Sequence, residues 1–193
     1  MKHKGRKLPT ILTEEEVRKL LSVFNKRYIS SYTNYLLIRI MVETGMRVSE
    51  VIGLTLENID RNTGKTMIRE GKGKKDRVVF LNMGLLECLN SYLERTKKGI
   101  SGLVFTTRTG TSINQNNVNR MIETYRKKAG IEKHITAHTF RHTYATHLLN
   151  KTNNLSLVQK VLGHEYISTT QIYIHLCDKD VEKNMAIPLF SNI

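Results

Sequence analysis

The spacing of apolar residues changes once along this chain of 193 residues, and that change limits the folds it can adopt. Over most of the chain apolar side chains recur every three or four residues, which predicts amphipathic α-helices. Between them lie two short runs, Thr66–Arg69 and Arg77–Leu81, on either side of the glycine- and lysine-rich segment 71–76. Such runs around a glycine-containing turn predict a β-hairpin. The sequence therefore predicts a mainly α fold with a small antiparallel β-sheet, of the α+β class.

The predicted helices carry recognisable start and stop signals. Thr13, with Glu16 three residues later, matches a capping box at the start of the first helix. Gly45 predicts the end of a second helix that covers about residues 32–43. Further helices are predicted over RVSEVIGL, which begins at Arg47, and over residues 83–96, 114–129, 137–150, 155–162 and 169–176. We expect one domain, residues 13–176, between a basic N-terminal arm (1–12) and a C-terminal tail (177–193).

The charge balance predicts a polyanionic partner. Lys and Arg number 31 against 17 Asp and Glu, which gives a formal net charge of +14. Nucleic acid is the commonest partner of so basic a chain. A surface that is basic only for solubility is the alternative. An anionic membrane is less well supported, because the sequence has no long basic amphipathic helix with aromatic anchors.

The sequence shows no sign of export or of metal binding through cysteine. No apolar run approaches the ~20 residues that span a bilayer, and the basic N-terminus lacks the apolar stretch of a signal peptide. We therefore expect a cytoplasmic protein. Cys88 and Cys177 stand alone in their local sequence, which fits neither a disulfide framework nor a paired-cysteine metal site.

Four segments carry the chemistry-bearing residues: TGMRVSE around Arg47, GKGKKDR in the predicted hairpin, HTFRH from His138, and LGHEYISTTQIY ending at Tyr173. Each has a plain structural explanation when taken alone. Arg47 and Glu50 could form a surface ion pair one helical turn apart. The lysine-rich turn could be a solvated tip, and Tyr173 could be a core aromatic residue.

The histidine pair in HTFRH also raises the question of a zinc site. His138 and His142 lie four residues apart, so a helix places them on one face together with Arg141. A metalloprotease motif would need glutamate directly after the first histidine, where Thr139 stands. A neighbouring arginine also disfavours a bound dication. Zinc is therefore the weaker interpretation.

Taken together, the four segments suit an anionic substrate. A set of two arginines, a lysine, two histidines and a tyrosine can be drawn from them, and this set contains no carboxylate pair. A phosphodiester under attack gains negative charge, and guanidinium groups match its oxygens. A tyrosine nucleophile would store the bond energy as a phosphotyrosine ester, and a lysine could protonate the leaving oxygen. No Asp/Glu cluster suited to catalytic Mg²⁺ stands out, so a reaction without metal or cofactor is expected.

The order Arg, Lys, His-x-x-Arg, His, Tyr in these segments resembles the tyrosine recombinases, which include phage integrases, Xer-type recombinases and DNA invertases. The resemblance extends from about Leu8 to Tyr173. It implies the catalytic-domain fold of that family and site-specific cleavage and rejoining of double-stranded DNA through a 3′-phosphotyrosine. Integration, excision, inversion and resolution all stay open. A type IB topoisomerase-like enzyme and a non-catalytic DNA-binding module are the alternatives.

The resemblance implies roles for six catalytic residues: two arginines that clamp the phosphate, two histidines, a general-acid lysine and the nucleophile. In that order they are Arg47, Arg141, His138, His164, Lys72 and Tyr173.

Five further residues are expected to have accessory roles, two by the same resemblance and three from their place in the basic hairpin segment. Glu50 and His142 are expected to support the catalytic residues rather than react. Lys74, Lys75 and Arg77 are expected to contact DNA, and Lys74 is the alternative general acid because the hairpin tip carries three lysines.

The ends of the chain differ from the family pattern. Most members carry a separate helical domain that clamps the DNA, whereas only a short basic arm precedes Thr13. We therefore expect either an excised catalytic domain or a short invertase-like recombinase. The apolar tail segment Met185–Phe190 corresponds to a tail that packs on a neighbouring protomer in the family. That implies a homo-tetramer on DNA and a monomer without it; packing of the tail on its own domain is the alternative.

Overall fold

The computed structural model describes residues 8–69 and 76–163, and its elements follow the predicted order. In chain order these are α1 (Glu14–Ser22), α2 (Ile29–Thr44), α3 (Val48–Ile52), a 3-10 turn (Leu56–Asn58), β1 (Lys65–Ile68), β2 (Arg77–Phe80), α4 (Met83–Arg95), α5 (Gln115–Lys128), α6 (Ala137–Thr152) and α7 (Leu155–Leu162). The predicted helix 169–176 lies outside the described residues.

The first helix begins at the predicted capping box. The Thr13 hydroxyl accepts a hydrogen bond from the Glu16 backbone N–H at 3.1 Å, and the Glu16 carboxylate accepts from the Thr13 N–H at 2.8 Å. Just before it, Leu12 is completely buried, and its N–H donates to Thr143 of α6. Leu12, which we assigned to the basic N-terminal arm, therefore has its apolar side chain in the core.

Helix α2 is the centre of the described fold. It packs against α3, α4 and α6, and side chains such as Leu36, Ile40 and Met41 are fully buried. A helix that is apolar around most of its surface can be stable only in such a position. It ends at Gly45, as predicted, in a left-handed conformation with φ +67°. A Cβ there would lie 2.5 Å from Cδ1 of Tyr144, so this close approach of α2 and α6 also requires glycine.

The two predicted strands form an antiparallel hairpin in which Ile68 pairs with Arg77 and Lys65 with Phe80. Thr66, Ile68 and Val79 point into the protein, whereas Phe80 is exposed. The predicted fold class, mainly helical with a small antiparallel sheet, is confirmed. The hairpin tip, residues 70–75, lies outside the described part of the chain.

Helices α6 and α7 are joined by their own small apolar cluster, made of Ala145, Leu149, Val158 and Leu162. Helix α7 has the predicted bounds and ends at Gly163, again in a left-handed conformation (φ +66°). This cluster fixes where the chain leaves α7 relative to α6. Among residues 8–69 and 76–163, no helix is long and apolar enough to cross a membrane.

Candidate active site

Arg141 links the HTFRH and TGMRVSE segments directly. It lies on α6 with only 5% of its surface exposed. One Nη donates to the carbonyl of Gly45 at 2.7 Å, and the other donates to the carbonyl of Leu162 at 2.5 Å. These carbonyls lie at the C-terminal ends of α2 and α7, where the helix dipole favours a cation. The guanidinium group is therefore fixed in orientation at the meeting point of three helices.

Arg47 stands two residues after Gly45 and is the more exposed of the two arginines. It is the N-cap residue of α3. Its N–H donates to Oε2 of Glu50 at 2.7 Å, and its Nη1 donates to Oε1 at 2.8 Å. Its side chain remains 31% exposed. The two motifs predicted to hold a phosphate thus meet, with one arginine buried and the other reaching the surface.

Glu50 is shared between two arginines rather than forming the simple surface pair that the spacing allowed. Its carboxylate also accepts two hydrogen bonds from Arg77, at 3.0 and 2.6 Å, and its side chain is only 10% exposed. Burial alone would raise the pKa of Glu50. The hydrogen bonds and charge of Arg77, together with the Arg47 contacts, instead lower that pKa to about 2. Glu50 is therefore an anion throughout the physiological range.

The Arg77 side chain lies inside the described protein rather than at its surface. We predicted a DNA contact, but its side chain is 6% exposed and its Nε donates to the carbonyl of Val161 at 3.0 Å. Within the described residues, its guanidinium group therefore faces Glu50 and Val161 rather than solvent. The strand pattern could have indicated this. Arg77 and Val79 are two residues apart in β2 and therefore lie on the same face, and Val79 belongs to the core.

The two histidines of HTFRH lie on α6 at different depths. His138 is exposed and His142 is half-buried. Burial lowers the pKa of His142, and electrostatic repulsion from the neighbouring His138 and Arg141 lowers it further. The neutral form of His142 is therefore favoured. Within the described ranges, no group of three or more His, Cys, Asp or Glu side chains could hold a metal ion.

The remaining predicted site residues lie outside the described part of the chain, and their placement stays a prediction. They are Lys72, Lys74, Lys75, His164 and Tyr173. Two ends of the described segments, residues 76 and 163, nevertheless lie next to Arg77. Residue 76 precedes Arg77, and Gly163, which directly precedes His164 in the sequence, lies against the Arg77 side chain.

Most of the chain matches one known protein family. The model of the phage integrase family matches residues 10–180. The chain belongs to the phage integrase family. This confirms the resemblance inferred from the sequence motifs.

Individual relatives of this integrase-family chain are recombinases. Tyrosine recombinase XerD of Staphylococcus aureus is 37% identical over 183 residues, which cover 92% of this chain and 62% of XerD. The chain thus spans about 62% of the length of the curated relatives that it matches.

Solved structures show the same relationship. The XerA recombinase matches with a TM-score of 0.82 and 30% identity, over 96% of this chain and 68% of XerA. XerH, bound to a palindromic difH substrate in a post-cleavage complex, matches with a TM-score of 0.82 and 32% identity, over 97% of this chain and 55% of XerH. The catalytic domain of bacteriophage HP1 integrase has a TM-score of 0.61 and supports the fold alone, at 23% identity.

Proposed function

We propose that this chain cleaves and rejoins DNA at specific sites, through a covalent bond between Tyr173 and the 3′ phosphate of the cut strand. The observation that carries the proposal is the hydrogen bond of 2.7 Å from Arg141 to the Gly45 carbonyl. It joins two arginine-bearing segments 96 residues apart in the sequence, as a shared phosphate site requires. The recombinase relatives, including XerH with its difH substrate, support the same chemistry.

The fixed guanidinium groups suit the transition state of phosphoryl transfer. Attack on the phosphodiester places added negative charge on its non-bridging oxygens. Arg141 is held by the Gly45 and Leu162 carbonyls, and Arg47 is held by Glu50. Donors that are already oriented do not need to reorganise during the reaction, which is the main source of electrostatic catalysis. We assign both arginines to the non-bridging oxygens.

Proton transfer completes the proposed mechanism. Tyr173 gives up its phenolic proton to solvent and attacks phosphorus, and the bond from phosphorus to the 5′ oxygen breaks as the phosphotyrosine forms. Lys72 gives a proton to the departing 5′ oxygen; Lys74 is the alternative donor. His138 is exposed beside Arg141 on α6, and we assign it to the phosphate together with His164. Glu50 and His142 support these groups. Rejoining reverses the steps, so neither ATP nor a metal ion is required.

The proposed partner is double-stranded DNA, which agrees with the formal charge of +14. Lys74 and Lys75 are the proposed backbone contacts. We assign residues 13–176 to the catalytic domain, with packing that already includes Leu12. We further propose a monomer in solution and a homo-tetramer on DNA, in which the tail 177–193 packs on a neighbouring protomer.

The test is the trapping of a covalent adduct. Nicked duplexes with a randomised central sequence would be incubated with the protein, and denaturing gels would separate protein bound covalently to DNA. We expect an adduct from the wild type and none from Tyr173→Phe. The recovered DNA would identify a preferred site. No wild-type adduct across the library, or an equal adduct from Tyr173→Phe, would contradict the proposal.

The same assay separates the alternative functions. A non-catalytic binding module would shift DNA on native gels without an adduct. A topoisomerase-like enzyme would relax supercoiled plasmids that lack the selected site, whereas a recombinase is expected to join strands between two copies of that site.

A further inference from the structure

The buried side chain of Arg77 donates hydrogen bonds in two directions, to a carboxylate and to a backbone carbonyl of the described residues. Two N–H groups donate to the two carboxylate oxygens of Glu50, at 3.0 and 2.6 Å. Its Nε donates to the Val161 carbonyl at 3.0 Å. A planar guanidinium group can make this bidentate contact and hold a third acceptor at a fixed angle, which a lysine ammonium cannot do.

These contacts join three parts of the molecule that lead to predicted catalytic residues. Arg77 begins β2, the strand that leaves the hairpin tip carrying Lys72. Glu50 lies on α3, whose N-cap residue is Arg47. Val161 lies in the last turn of α7, after which the chain continues to His164.

Gly163 shows how closely the end of α7 and Arg77 fit together. A Cβ at Gly163 would lie 2.9 Å from Cδ of Arg77, a distance too short without movement of the side chain. The residue is also in the left-handed conformation that glycine favours, with φ +66°. Arg77 therefore packs against the backbone at the point where the chain leaves α7.

We propose that Arg77 is a positioning residue for DNA strand transfer. It orients Arg47 through Glu50 and fixes the end of α7, and hence the start of the segment that carries His164, against the strand that follows the lysine-bearing tip. The inference rests on the proposed function. It assigns Arg77 a role without DNA contact, so its loss affects the rate of cleavage rather than the binding of DNA.

The first test is Arg77→Lys, which keeps the positive charge beside Glu50 but removes the planar guanidinium group that makes the bidentate contact. With the nicked duplex recovered by adduct selection, we would measure DNA affinity, the melting temperature by circular dichroism, and the rate of adduct formation at saturating protein. We expect DNA affinity within about threefold of the wild type, because the Arg77 guanidinium group donates to Glu50 and Val161 and the positive charge is kept. The saturated rate should fall about 100-fold, as expected for misplacement by about 1 Å.

A matched pair of glycine variants tests the same contact from the other side. Gly163→Ala pushes on Arg77 while leaving the Arg77–Glu50 pair chemically intact. Gly130→Ala is the control, because Gly130 also has a positive φ (+64°) but a Cβ there meets no atom within 4 Å. Both variants carry similar backbone strain. We expect Gly163→Ala, and not Gly130→Ala, to slow adduct formation at saturation, on the order of tenfold.

The outcomes separate this inference from the proposed function. No adduct from the wild type overturns the proposed function and this inference with it. A normal wild-type rate with an unchanged saturated rate for Arg77→Lys overturns the inference alone. A loss for Arg77→Lys that disappears at saturating protein identifies Arg77 as a DNA contact and also overturns it. If Arg77→Lys does not fold, equal rates for Gly163→Ala and Gly130→Ala refute the positioning role.

Discussion

Two arginines share the carboxylate of Glu50, yet their surroundings differ sharply. Arg77 has 6% of its side chain exposed and is also bound to a backbone carbonyl, whereas Arg47 has 31% exposed. The difference separates two uses of the same side chain. The buried arginine organises the protein around one anion. The exposed arginine is held by the same anion and keeps part of its side chain at the surface, where we propose that it binds the phosphate.

The largest expected effect is a loss of stability when the carboxylate of Glu50, which both arginines share, is removed. Glu50→Ala leaves the buried Arg77 guanidinium without its carboxylate, which costs about 3–5 kcal/mol for a broken buried pair. Urea denaturation followed by circular dichroism measures this loss. The matched variant Glu87→Ala removes an exposed carboxylate from helix α4 and should change the free energy of unfolding by less than about 1 kcal/mol. Similar losses of unfolding free energy in both variants would show that the buried Arg77–Glu50 pair does not stabilise the fold more than an exposed carboxylate does.

Replacing Arg47, the more exposed arginine, should slow cleavage strongly and change stability little. Arg47→Ala removes a donor to the phosphate, so we expect the saturated rate of adduct formation to fall about 100- to 1,000-fold. The free energy of unfolding should change much less than in Glu50→Ala, because Arg47 is partly solvated. Single-turnover cleavage and urea denaturation of the same preparation give both values. A large loss of stability with a normal cleavage rate would reverse the roles assigned to the two arginines.

The stability of the protein should also depend on pH, through the ionisation of Glu50. The pKa of Glu50 is lowered from 4.5 to about 2 by folding, so its ionised form stabilises the protein fully above pH 4.5. That contribution is lost as the pH falls from 4.5 towards 2. The stability advantage of the wild type over Glu50→Gln should therefore shrink over this range, by up to about 1.4 kcal/mol per pH unit. Urea midpoints from pH 6 to pH 3 measure it. An advantage that stays constant below pH 4.5 would contradict the assigned charge state.

The smallest effect is expected at an exposed arginine of the same hairpin. Arg69 directly follows β1 and is solvent-exposed, unlike Arg77. Arg69→Met should change the free energy of unfolding by no more than about 0.5 kcal/mol, as for most surface positions. Arg77→Met, measured beside it by urea denaturation, should lose several times more. Equal values would mean that burial does not distinguish the two hairpin arginines.

Local signals explain why most elements could be predicted from the sequence. The capping box at Thr13 and Glu16 and the left-handed Gly45 act within one helical turn, so the sequence predicts them directly. The hairpin was also accessible, because β1 and β2 flank one glycine-rich turn, whereas the pairing of Ile68 with Arg77 comes from the structure. These features depend on neighbours in the chain and not on the packing of distant helices.

The site geometry depended on contacts that no local pattern contains. Arg141 reaches the Gly45 carbonyl across 96 residues, and this bond exists only because α2 and α6 pack together. The motifs predicted that both arginines belong to one site, but not that one would be buried. Arg77 was assigned to DNA from its place in a basic segment, although its alternation with Val79 indicated an inward side chain.

The most direct test of the proposed mechanism is to locate the covalent bond. The trapped adduct would be digested with nuclease and protease, and mass spectrometry would identify the peptide that retains a nucleotide. We predict a 3′-linked nucleotide on Tyr173, absent from the Tyr173→Phe protein. A nucleotide attached to any other residue, or an adduct that persists in Tyr173→Phe, would contradict it.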